Sequence, residues 1–158
     1  MAKSNRSIQD QLRSFCAYQE RSRFEVEQKL YRLNVSRDRW DSLLGEMEAE
    51  GFLNEARFVR AYVRGKFRMK GWGKWLIRQG LMEKRIPSEL INEALEAEIE
   101  EGEYVETTLA WVEKSGLNPQ DEDEYNQLLE KLYRKGYSRD DLESAIRTMG
   151  LPGKGLPQ

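Results

Sequence analysis

The sequence repeats itself at an offset of 51 residues, and that self-similarity limits the fold more than any single motif does. Without gaps, Val26 aligns with Ile77 and Leu128, Leu30 with Leu81 and Leu132, and Val35 with Ile86 and Tyr137. The register runs on through Trp40, Ile91 and Leu142 to Leu44, Leu95 and Ile146. In each copy apolar residues recur at i and i+4, break, and resume at i and i+4, the pattern of two amphipathic helices. A further helix precedes each pair, near 7–20, 54–69 and 103–115, and no segment alternates with period two. The expected fold is all-α: three tandem three-helix repeats over 1–53, 54–101 and 102–150, then a flexible tail, 151–158. A three-helix unit alone buries its apolar face poorly, so such units stack. The expected body is elongated and curved, better suited to an extended partner than to a small molecule.

The breaks carry helix-end chemistry. Ser22 with Glu25 reads as a capping box, and Ser36 and Ser138 are placed to cap the last helix of the first and third units. Pro87 stands at the equivalent start in the second, where a missing N–H costs little. Gly136 and Asn34 tolerate the left-handed conformation that ends a helix, and Arg85 is a weaker stop at the same repeat position. Gly80 falls inside a helix by register, at a cost of about 1 kcal/mol. The joint 50–55 is short, whereas the loop 116–124 is longer and leaves the third unit's position less determined.

The 158 residues include no histidine and one cysteine. That removes the commonest general base, the Ser-His-Asp and Cys-His pairs and the commonest zinc ligand. Cys16 has no partner for an internal disulfide and reads as a small buried apolar residue. No constellation of carboxylates has nucleophile or metal spacing, so no enzyme and no cofactor are expected. Without a signal core or a long apolar run, the expectation is a soluble cytoplasmic protein with no membrane partner.

A net charge of −2 conceals a partition. Residues 57–85 carry ten basic groups and one acidic, a net of +9, and 86–130 carry one basic and fourteen acidic, a net of −13. A local excess of that size is the footprint of a binder of nucleic acid or of acidic protein. Arg57, Arg60, Arg64 and Arg68 fall within about 80° of helical arc, and the stripe continues through Lys70 and Lys74 to Arg78, with Lys74, Arg78 and Arg85 sharing a face. Phe58, Tyr62 and Met69 lie opposite, on the expected core side. No acid lies between Arg57 and Glu83, although a helix built only for stability should carry i,i+4 acid–base pairs. These seven cations are the expected binding surface. The acidic run from Glu96 to Glu106 leaves three readings open: it answers the basic segment, repels DNA from one side, or is a solvated helix face. Trp72 and Trp75 flank the basic turn; stacking on bases is one role, and a place in the core is the ordinary one. Gly71 and Gly73 fit a tight turn between helices.

Arg21-Ser22, Glu25-Val26, Lys29-Leu30, the run 50–55, Phe58 to Tyr62, Arg64, Lys70-Gly-Trp-Gly, Ile77-Arg78 and Ile86 together resemble the RecX family of bacterial regulatory proteins. The likeness covers nearly the whole chain and is most specific over 50–86. Arg85 departs from an expected glycine, and Leu76 stands where a basic residue is common. The resemblance implies a non-enzymatic, all-helical protein of tandem three-helix repeats. Such a protein binds along the RecA recombinase filament, limits its extension or favours its disassembly, and restrains strand exchange and ATP hydrolysis. On this reading the basic stripe contacts acidic recombinase surface, filament DNA or both. DNA alone, single- or double-stranded, binds weakly and with salt dependence, and the protein is a monomer. The alternative is a helix-turn-helix-like DNA-binding transcriptional regulator, since the last two helices of each unit resemble such a pair.

Overall fold

The computed structural model describes residues 6–151, so the expected tail lies almost wholly outside the described residues. Within them the chain is all-helical. The elements are α1 (Ile8–Tyr18), α2 (Arg23–Arg32), a 3₁₀ turn (Arg37–Arg39), α3 (Trp40–Ala49), α4 (Glu55–Lys70), α5 (Lys74–Glu83), α6 (Ser88–Glu98), α7 (Glu101–Ser115), α8 (Glu122–Arg134) and α9 (Arg139–Thr148). The most extensive helix contacts are α4 on α6 and α7 on α9, with α5 and α8 closing the respective triplets.

The repeat register governs the backbone as well as the core. Asn34, Arg85 and Gly136, spaced at the repeat, all take positive φ. At these points a helix ends and the next turns back. Arg85 does so as a bulky residue, which L-chirality disfavours by roughly 1–2 kcal/mol. Ser22–Glu25 forms the expected capping box, and Ser138 forms one with Asp141. Ser36 does not cap as expected: its hydroxyl bonds the Asp38 carboxylate, and the chain enters α3 through the 3₁₀ turn. Gly80 has a packing reason for its place inside α5, because a Cβ there would collide with the Tyr62 hydroxyl.

Two apolar cores form, not three. The first triplet buries Leu12, Val26, Leu30, Leu44 and Met47 in a core of its own. The second and third share one core that runs from Val59, Val63 and Phe67 through Ile77, Leu81 and Tyr104 to Leu128, Leu132 and Tyr137. Met69, expected on the core side of α4, is 87% exposed. The buried arc is centred on Val59, Val63 and Phe67, and Met69 sits at its margin in the last turn.

What joins the second triplet to the third is the turn 71–73. Gly71 ends α4 in the left-handed conformation. Its carbonyl accepts from Trp111 Nε1 at 2.9 Å and from the Tyr137 hydroxyl at 2.8 Å. The Gly73 N–H donates to the Lys135 carbonyl at 2.7 Å, and the Trp75 N–H to that of Gly136 at 3.1 Å. The Tyr104 hydroxyl accepts from the Lys74 N–H at 2.9 Å and donates to Asp141, the residue that completes the α9 cap. A Cβ on Gly73 would fall inside the Gly136 carbonyl, and one on Gly136 would meet Leu76 and Gly73. The third triplet, expected to be loosely placed because its linking loop is long, is therefore held by its neighbour's turn.

The first triplet meets the second through polar groups. Arg57 pairs with Glu20 at 2.6 Å and Lys84 with Glu25 at 3.4 Å. The Arg23 N–H donates to Glu55, and the Arg85 guanidinium lies 4.6 Å from the Phe24 ring centre.

Two predictions follow from the shared core. Gly73→Ala should lower stability in chemical denaturation by about 1–3 kcal/mol or more, because the obstacle is backbone and cannot swing aside; an unchanged midpoint would refute the close approach. Burial raises the hydroxyl pKa of Tyr104 and Tyr137, and burial with a bond to Glu143 pushes Tyr125 up to about 12. The folded chain thus holds these protons more tightly than the unfolded chain, whose tyrosines titrate near the ordinary value of 10.0. Stability should be full below about pH 10 and fall as pH rises beyond it. Unfolding followed by helix content and tyrosinate absorbance should show this loss, and it should be smaller in Tyr125→Phe.

Candidate functional site

The seven cations expected to bind a partner all belong to α4, its C-terminus and α5, and the fold treats them unequally. Asn54 caps α4 by accepting from the Arg57 N–H, and the helix then runs unbroken to Lys70. Arg57 turns back to Glu20 and donates to the Gly51 carbonyl at 3.0 Å, so it ties the first triplet to the second. Arg60 remains exposed beside a hollow lined by Asn54, Leu90, Glu93 and Ala94. Arg64 meets Glu98 at 2.7 Å, Arg68 approaches Glu103 at 3.9 Å, and Lys74 meets Glu101 at 3.3 Å. Arg78 donates to Asn92 at 2.7 Å, and it shares a hollow with Lys74, Glu96, Glu100 and Glu101. Lys70 makes no ion pair with a described residue; its ammonium lies 5.9 Å from the Trp72 ring centre.

Of the readings open for the acidic run, the first accounts for Glu98, Glu101 and Glu103: they answer the basic helix across the α6–α7 junction. The missing i,i+4 acids of α4 are supplied by residues 34 to 35 positions further on. Arg85 does not share the Lys74–Arg78 face. It lies beyond the end of α5 at positive φ, so helical phase no longer applies, and it packs on Phe24 instead. Trp72 and Trp75 are both partly buried. Trp75 lies against Tyr133 with ring centres 4.8 Å apart, and its buried Nε1 has no hydrogen-bond partner. Leaving such a donor unpaired costs about 1–3 kcal/mol.

Other cations were not singled out by the sequence pattern. Lys66 lies on the opposite side of α4 from the arginines, 4.7 Å from the Trp72 ring centre and 5.3 Å from that of Tyr62. Burial, with Lys70 and Lys84 nearby, lowers its ammonium pKa below the ordinary lysine value. Lys114 and Lys135 lie 5.3 and 3.7 Å from the centre of Trp111, and with Lys131 they border a hollow of ≈ 280 Å³ floored by Leu128 and Leu132. Their spacing at i,i+3 from Trp111 and i,i+4 at the end of α8 was readable, but Lys114 is a lone cation in the acidic segment and nothing local joins it to Lys131 and Lys135. Among the described residues no group of three or more Cys, Asp or Glu is arranged to hold a metal ion, and no helix is long and apolar enough to cross a membrane.

Residues 54–95, which include α4, the pinned turn and α5, match the family model described as RecX, second three-helix domain. The Regulatory protein RecX of Leptothrix cholodnii is 29% identical over 141 residues, covering 89% of this chain and 88% of that protein. That of Bacillus mycoides is 26% identical over 139 residues. The chain spans about half of the Bacillus protein's length, 51%. The crystal structure of RecX from Lactobacillus salivarius superimposes with a TM-score of 0.79 at 23% identity, over 90% of this chain and 94% of that one, which shows a shared fold.

Glu98→Gln should release the Arg64 charge while keeping the shape and an acceptor oxygen of a side chain only 14% exposed, at a cost of about 1 kcal/mol. If the stripe contacts an acidic partner, affinity should rise in the variant with its unfolding midpoint nearly unmoved. Binding that falls or stays constant would mark the stripe as an internal brace.

Proposed function

We propose that this chain, which belongs to the RecX family, regulates the RecA recombinase by binding along its DNA filament and restraining extension, ATP hydrolysis and strand exchange. The observation that carries this reading is the match over 54–95: the segment that resembles the family's second domain is also the one holding the basic helix and the turn that fixes the third triplet. Similar proteins named as regulators support a non-enzymatic role. We take 1–53, 54–101 and 102–150 as the three repeat units of an elongated monomer, a form suited to lying along a filament. Arg60, Lys70 and Arg78, which form no ion pair with a described residue, are the members of the predicted stripe open to the partner. Arg64, Arg68 and Lys74 must exchange an internal carboxylate for an external one. The setting is the cytoplasm, where the filament forms.

The helix-turn-helix alternative loses weight on charge. In the second triplet the helix that would enter the major groove is α6, which carries Glu89, Glu93, Glu96 and Glu98 and no cation. An acidic recognition helix is repelled by the phosphates that flank the groove.

The test is RecA-catalysed ATP hydrolysis and strand exchange on single-stranded DNA with increasing amounts of the protein. Both should fall at substoichiometric to stoichiometric ratios, and Arg60→Glu with Arg78→Glu should weaken the effect. No effect even in excess would reject the proposal.

A further inference from the structure

Arg57, Arg64, Arg68 and Lys74 of the basic stripe are occupied by the chain's own carboxylates, whereas five lysines without an ion pair to a described residue gather about the turn 71–73. Lys66 and Lys70 stand by Trp72, on the α4 side of the turn 71–73. Lys114, Lys131 and Lys135 surround the hollow beside Trp111 on the other side. None of these five lysines forms an ion pair with a described residue. The two groups adjoin the same backbone: Trp111 donates to Gly71 O and leaves no room for a Cβ on Gly71, and the Lys135 carbonyl receives the Gly73 N–H.

We infer that this lysine–tryptophan surface, at the join of the second and third triplets, is a binding site for the phosphodiester backbone of single-stranded nucleic acid. Unpaired like charges gathered on one rigid join build a local positive potential that a polyanion relieves. Guanidinium forks suit phosphate and carboxylate alike, but those of Arg64 and Arg68 are already turned to Glu98 and Glu103; the lysines remain as point charges that follow a backbone without reading its sequence. The rings hold the ammonium groups in place and add the aromatic faces common in single-strand channels. This surface deepens the proposed function by giving the protein its own hold on DNA, but it does not depend on RecA.

The experiment therefore uses the full chain and fluorescent oligo-dT alone, without recombinase, at several salt concentrations. Replacing Lys114, Lys131 and Lys135 with alanine should leave helix content unchanged, since Lys114 and Lys131 are exposed and the half-buried Lys135 touches the core only through the Trp111 face. Affinity at low salt should fall about ten- to hundredfold, and the slope of log K on log salt should flatten by about 2, each single-strand phosphate contact contributing roughly 0.7. Lys131→Glu alone should weaken binding more than Lys131→Ala. Arg64→Ala with Arg68→Ala should change the slope less than the triple variant does. The inference is overturned if the triple variant keeps the affinity and slope of the unaltered chain, or if poly-glutamate competes as well as oligo-dT at equal charge. Because RecA is absent, failure here leaves the filament assay to judge the proposed function separately.

Discussion

Two glycine backbones, those of Gly73 and Gly136, pass so close that neither has room for a Cβ, and the arrangement of the second and third triplets depends on that approach. At this distance the N–H of Gly73 reaches the Lys135 carbonyl, the N–H of Trp75 reaches that of Gly136, and Gly71 O receives both Trp111 and Tyr137. Polar backbone groups at a buried join need partners, and here each triplet supplies them to the other. Tyr104 stacks on Tyr137 with centres 5.2 Å apart and passes the connection to Asp141 at the start of α9. The result is one continuous apolar core spanning six helices.

The other join is built differently. The first triplet keeps a separate core and meets the second through Arg57–Glu20, Lys84–Glu25, Arg23–Glu55 and the contact of Arg85 with Phe24. Surface ion pairs contribute about 0–1 kcal/mol each and weaken with salt. A chain with one apolar join and one polar join is stiff over its last two triplets and more easily displaced at its first. Arg85 is held in a disfavoured backbone conformation at this polar join, and only its side chain gives a reason for a residue other than glycine there.

Charge follows the same logic of neighbours. A +9 segment beside a −13 segment is bound to interact with it unless the fold keeps the two apart, and the α6–α7 junction brings Glu98, Glu101 and Glu103 onto α4 and α5. Arginines that look unopposed along the helix are opposed in space. The lysines around Trp111 are the reverse case: Lys114 is the one cation of the acidic segment and Lys131 and Lys135 follow its end, and the fold brings the three to one hollow without an ion pair to a described residue.

Helix number, helix limits to within a few residues, the capping boxes at Ser22 and Ser138 and the left-handed stops at Asn34 and Gly136 were all legible, because each depends on residues within one turn of one another. The 51-residue register also identified the buried positions, since periodic apolar spacing is itself what builds the core. Three things were not legible: the burial margin that exposes Met69, the diversion of Ser36 to Asp38, and the pairing of each cation. Each depends on which atoms a neighbouring element brings within a few ångströms. By itself the sequence determined that this protein is a helical repeat with a strongly charged middle. Only the tertiary structure decided that two of the three triplets share a core, and which of the charges remain for a partner. Contacts of that kind join residues on different helices, from 14 to 66 positions apart, and no local period records them.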